Sequence, residues 1–369
     1  WQLVLARILQ GIGGAMMVPV GRLILLRTVP REGLVGALAW LTVPALLGPV
    51  MGPPLGGYIT TYFHWRWIFW INLPLAVLGI VLVTLLIPNI RETGTGRFDL
   101  KGFVMAGPGL AAFLTGLTLA GLNLAPLWAI LALVLGGMAL TFAFVRHALR
   151  VEEPLVDLRL LMLPTFRISV GAGSLFRISV GALPFLLPLM FQLGFGLTAF
   201  ASGLLTFSSG LGAMAMKFAA QPLLRRFGFR GVLMGNALIS GVLILGPAFF
   251  TQSTPVPVIV AILVAGGLSR SLQFTAINAI GYAEVTAARL SSATSFTAVL
   301  QQLSGSVGIT LAAMGLEICG TLRGTSAPDL GNFPYVFALI AGLALASAAV
   351  FARLRPDAGQ SMVQAKSAS

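Results

Sequence analysis

Charge is what this sequence has least of. Only 9% of its 369 residues are charged, 10 acids against 23 bases, whereas a soluble domain carries about 25% to face water. A chain so poor in charge lacks an adequate polar surface, so lipid must be its solvent. One cysteine, Cys319, excludes an internal disulfide and any cysteine-based metal cluster. The two histidines, His64 and His147, sit at the edges of apolar runs, which suits an interface better than a catalytic pair. No metal site or cofactor is implied. No phosphate-cradling loop for ATP is present, so energy for any work must come from an ion gradient. The chain begins at Trp1 rather than Met and has no signal peptide, and Leu3 onward already reads as a spanning helix. Truncation at the N-terminus is therefore expected.

What is abundant is apolar, at 57% of residues. The stretches between charges run roughly 18–26 residues, enough as helices to cross about 30 Å of hydrocarbon. They lack the alternation of a transmembrane barrel, leaving helices as the spanning structure. Eleven spans are expected, near 3–26, 34–59, 67–87, 100–121, 126–145, 168–193, 201–224, 231–250, 256–279, 292–318 and 334–351. The net charge of +13 would suggest nucleic acid in a soluble protein. Here the bases are scattered among short loops, so no nucleic-acid partner is expected. Seventeen fall in one set of loops and only Arg66 and Arg323 in the other. Positive-inside reasoning makes the first set, including Arg146–Arg167 and Arg225–Arg230, cytoplasmic. The first helix then runs from outside to inside. The expected plan is a three-helix remainder of one six-helix half (1–87), a two-helix insert with linkers (88–165), a complete six-helix half (166–355) and a cytoplasmic tail (356–369). A repeat, Phe166–Ala172 and Phe176–Ala182, has a ten-residue offset that turns its copies to different faces.

Several motifs carry chemistry. In the second span Gly48, Gly52 and Gly56 recur every four residues, forming a face that admits close helix approach. Pro49, Pro53 and Pro54 bend it. The run Leu47–Gly57 resembles the antiporter motif of the major facilitator superfamily, matching at Gly48, Gly52, Pro53, Gly56 and Gly57, with Ala39 in place of the leading glycine. Ala6-Arg-Ile-Leu-Gln-Gly-Ile-Gly-Gly14 resembles the Arg-x-x-Gln-Gly motif of that superfamily. Trp65–Pro74, Arg270–Thr275 and Gln301–Gly308 resemble segments of its fourteen-span drug:proton antiporters, the EmrB/QacA branch. Gln221–Arg230 resembles the cytoplasmic loop motif at Leu223, Arg226, Gly228 and Arg230. There Gln221, Arg225 and Phe229 replace the family's Gly, Asp and Arg, so an acidic gating partner is missing from this copy. The resemblance implies an all-α integral membrane fold with alternating access, lacking roughly its first three helices. It also implies that the Gly52 face packs across the boundary between halves, against the helix with Gly203, Gly210 and Gly212.

Four bases remain inside spans: Arg7, Arg177, Lys217 and Arg270. A mid-membrane arginine costs at least about 2.5–3.5 kcal/mol on insertion scales, so it faces a partner or a wet cavity. Lys217 lies near a helix end and can snorkel. Arg177 lies about 15 Å deeper than Arg167 at 1.5 Å per residue. Acids fall in loops or at their edges, with Glu317 near an outer helix end. The resemblance implies a coupling carboxylate in a first helix that this chain does not contain. Buried glutamines suggest a wet interior. Substrate or proton-path candidates are Arg7, Gln10, Arg177, Gln192, Arg270, Gln273, Gln301 and Gln302, with Phe191 and Phe274 as aromatic lining. Arg225, Arg226, Gly228 and Arg230 are the candidate gate.

The function expected is export of drugs or other amphipathic compounds in exchange for protons across a bacterial inner membrane. The expected partners are the bilayer, a small amphipathic substrate, protons and a periplasmic adaptor protein. A facilitator for a small metabolite is the alternative. A membrane-embedded enzyme would need a nucleophile, a base or a metal cluster, and no span carries paired acids.

Overall fold

The described residues of the computed structural model are 2–28, 48, 51–87, 99–122, 125–151, 154–286, 289–325 and 329–359. They are helical, with no strand among them. Two compact units divide the chain, Trp1–Thr95 and Gly96–Ser369. The first contains α1 (Gln2–Thr28), α2 (51–62), the short α3 (Trp67–Trp70) and α4 (Asn72–Leu86). The second begins with a hairpin, α5 (Leu100–Leu122) and α6 (Leu127–Ala148). It continues as α7 (Pro164–Gly181), α8 (Leu183–Leu189), α9 (Ala199–Leu245), α10 (Val256–Gly281), α11 (Leu290–Arg323) and α12 (Phe333–Phe351).

Eight helical stretches of the described residues are long and apolar enough to cross a membrane. One of them, Ala199–Phe249, has 51 residues and breaks at Gly228 (φ 67°, ψ 167°), so it supplies two of the expected spans. That backbone region is essentially closed to residues with a Cβ. The expected loop at Arg225–Arg230 is thus no loop, but a one-residue corner between two helical limbs. With its 27 residues, α1 adds another helix of spanning length. The second expected span and its Pro49 lie mostly outside the described residues, as do the linker at 88–98 and the tail from 360.

Small residues set the packing of the second unit, as expected where lipid removes the hydrophobic drive between helices. A Cβ on Gly267 would lie 1.9 Å from the carbonyl oxygen of Ser209, and one on Gly212 2.1 Å from that of Val264. Gly212 therefore packs α9 onto α10 inside this unit. Gly308 sits equally close to Ile178, and Gly181 to Gly305, locking α11 onto α7. A core of Phe176, Phe191, Phe333, Phe337 and Phe351 fills the centre. A smaller cluster of Ala106, Phe144, Phe166 and Phe296 fastens the hairpin to α7 and α11. The repeat behaves as its offset requires: Arg167 is exposed while Arg177 is buried.

Candidate functional site

One face of α7 is built at four-residue intervals. Thr165 meets Glu284, the Ser169 hydroxyl donates to the Ile277 carbonyl at 2.9 Å, Gly173 lies against Ile277, and Arg177 reaches Asn278. Each step is about one helical turn, and the partners lie between Ile277 and Glu284, at the C-terminal end of α10 and just beyond it. Gly173 leaves room for the Arg177 side chain, which folds back over it: a Cβ there would stand 2.8 Å from a guanidinium nitrogen.

Arg177 is 7% exposed. It donates to Asn278 Oδ1 at 2.8 Å, and the same oxygen accepts from Gln301 Nε2 of α11 at 3.2 Å. The Phe274 ring lies 6.0 Å away, within cation–π reach. Asn278 and Gln301 are exposed, so three helices bring a buried cation and two amides to an open surface within the spans. One turn along α10, Lys217 Nζ of α9 donates to Thr275 Oγ1 at 3.3 Å. The lysine expected to snorkel is held here by a neighbouring helix. Among the described residues no carboxylate lies within 4.0 Å of Arg177 or Lys217.

Sequence reasoning missed Asn278. An asparagine three residues from a helix end is an unremarkable cap signal, and only the position of α7 reveals its role.

In the first unit the Arg-x-x-Gln motif and the Trp-rich segment form one cleft. Arg7 donates to Gln10 Oε1 at 2.8 Å and lies 4.6 Å over the Phe69 ring. Leu3, Ala6, Trp70, Asn72 and Leu73 complete a cavity of about 350 Å³. Two motifs more than fifty residues apart in sequence thus line one cleft.

The comparisons agree with this architecture. The model of the Major Facilitator Superfamily matches residues 1–145. Proteins named "Putative multidrug resistance protein MdtD" from Salmonella paratyphi B and Salmonella heidelberg are 36% identical over 373 residues, covering 98% of this chain and 77% of theirs. The Salmonella typhimurium protein of that name is 36% identical over 374 residues with the same coverage. The chain belongs to the Major Facilitator Superfamily.

Membership makes this facilitator a multi-pass membrane transporter rather than an enzyme. Several of its candidate residues lie elsewhere than the sequence suggested. Gln273 is wholly buried; it donates to the Leu233 carbonyl and accepts from Asn236, which also bonds Ser269. That network ties α9 to α10 and leaves no amide group free for a substrate, which removes Gln273 from the open path. Phe191 is likewise a core residue. Arg270, half-buried, donates to Ser209 at 3.2 Å beside a small void of about 30 Å³. Gln302 is exposed on α11, and Gln192 is exposed on the π-helical turn Met190–Gly194, distant in sequence from the Arg177 cluster. Among the described residues, a Cβ on Gly48, Gly52 or Gly56 meets nothing within 4 Å. Pro53 and Gly57 share that helix. Arg225 and Arg226 are exposed at the corner and Arg230 is half-buried beyond it, with Arg226 5.4 Å from the Phe227 ring.

Proposed function

We propose that this transporter is a secondary active exporter of amphipathic compounds. It works by alternating access in the manner of the fourteen-span antiporters, with protons as counter-ion, in a bacterial inner membrane. The observation that carries the reading is the Arg177–Asn278–Gln301 cluster. A polar surface of that kind inside spanning helices is untenable against lipid and requires a wet cavity. The multidrug-resistance names of the relatives support drugs as cargo. The arginine-rich loops support a cytoplasmic position for the Gly228 corner, where Arg225, Arg226 and Arg230 close the path. Within the first unit, Arg7 and Gln10 form a separate polar pair. The proton is carried by a carboxylate, because arginine keeps its proton at physiological pH. An adaptor protein would extend the route outward.

The test is dye efflux from cells that express the chain and lack their own exporters. Expected is efflux that saturates with dye and stops when a protonophore collapses the pH gradient. Efflux indifferent to the gradient, with ordinary downhill equilibration of a metabolite, would favour the facilitator reading instead.

A further inference from the structure

We propose that the ionic group accepted at the Arg177 cluster is an anion, so that the cargo is an amphipathic carboxylate rather than a cation. This deepens the export reading and rests on it. Burying a guanidinium is costly unless its charge is met, yet none of the described residues meets the charge of Arg177 with a carboxylate. Its neighbours are neutral: Asn278, Phe274 and the Gly173 backbone. Lys217, on the other flank of the same stretch of α10, is bonded only to a hydroxyl. Among the described residues, two cations therefore bond to α10 three positions apart, at Asn278 and Thr275, and neither has a carboxylate within 4.0 Å.

The donor geometry suits a carboxylate. Arginine has five N–H donors in a planar fork that matches two carboxylate oxygens. The Asn278 oxygen, which accepts from both Arg177 and Gln301, stands where a substrate oxygen would lie. When a carboxylate displaces it, the Gln301 amide is released to donate to the same anion. Phe274 and the apolar wall of α7 receive the hydrophobic body. A cationic drug would meet repulsion from Arg177 and Lys217 with nothing to offset it.

Binding is measured on the purified full chain in detergent, by fluorescence anisotropy with two xanthene probes of opposite charge, fluorescein and rhodamine 123. Efflux of both dyes is measured in parallel. Fluorescein is expected to bind at least tenfold tighter, with affinity falling as salt rises. Arg177→Gln should remove that preference by weakening fluorescein and relieving the repulsion of rhodamine 123, and Arg177→Lys should restore part of it. Lys217→Gln, at an exposed position that folding tolerates, should weaken fluorescein about threefold. Equal or tighter binding of rhodamine 123 overturns the proposal, as does an unchanged fluorescein affinity in both Arg177→Gln and Lys217→Gln. Absence of binding by either dye also overturns it, leaving Arg177 to a carboxylate of the protein itself. Arg177-dependent fluorescein binding without gradient-driven efflux would sink the export reading alone. Efflux without charge preference would sink this one alone.

Discussion

Glu284 caps a helix from 119 residues away: its Oε2 accepts both the N–H of Thr165, at 3.1 Å, and the Thr165 hydroxyl, at 2.8 Å. The first turn of a helix has N–H groups without intrahelical partners, and α7 begins at Pro164 with no side-chain cap of its own. A residue following α10 therefore supplies the cap for α7. It also fixes the register that brings Arg177 to Asn278.

Glu284→Ala should accordingly lower stability by about 1–2 kcal/mol, the usual worth of a cap. Glu284→Gln, which keeps an acceptor oxygen, should fall between. Amide exchange at Thr165 and the thermal midpoint in detergent are the measurements. An unchanged exchange rate in the alanine variant would show that α7 does not depend on this contact.

Gly228→Ala tests the corner. The space beside Gly228 is open, with nothing within 4 Å of a Cβ, so any cost comes from the backbone alone. Its positive φ with extended ψ should cost about 1–3 kcal/mol and reduce the folded yield. Phe227→Ala, at the exposed neighbouring position, should leave the yield unaltered. Equal yields from Gly228→Ala and wild type would mean that the corner relaxes to another geometry.

Two glutamines predicted alike from sequence should separate in opposite directions. Gln273→Ala removes one of the two acceptors of the Asn236 amide and the side-chain donor to the Leu233 carbonyl in the core, and a buried group left unpaired costs about 1–3 kcal/mol. Thermal stability should fall while substrate affinity holds. Gln301→Ala, on an exposed face, should spare stability and shift the KM for transported dye. The same pattern in both variants would contradict their different placement.

Asp99 makes the hairpin acid-sensitive. Burial by itself would raise its pKa, but donation from the Gly102 N–H, His147 and the Leu155 N–H outweighs that and holds the carboxyl below the usual range. A depressed carboxylate contributes stability that is complete above its unfolded pKa, about 3.9, and is lost as pH falls through the lower folded value. Protection of the Leu155 amide against exchange should therefore hold at neutral pH and fail only in strong acid. Asp99→Asn should weaken it at every pH. Loss of protection in the wild type already near pH 6 would assign the contact to another group.

Gly52→Leu should leave insertion intact, because its surroundings within the first unit are open. If the antiporter motif packs against a moving partner during transport, efflux should drop at least tenfold. Normal efflux by a correctly inserted Gly52→Leu protein would remove the packing argument.

The sequence by itself determined the all-helical membrane architecture, because scarcity of charge and the length of apolar runs leave no other solvent and no other spanning structure. The interior arginines were legible for the same reason, since a charge in a span is expensive wherever the fold puts it. Partners were not legible. Lys217 and Arg270 read as snorkelling and path residues until α9 and α10 gave them Thr275 and Ser209. Gln273 read as a cavity residue until Asn236, 37 positions earlier, closed on it. Asn278 gave no signal at all. Hydropathy records what each residue costs in lipid, a property of that residue and its near neighbours. Which buried polar groups satisfy one another depends on helices meeting across a hundred positions of sequence, with glycines such as Gly267 and Gly308 setting how closely they approach. Only the tertiary structure decided that.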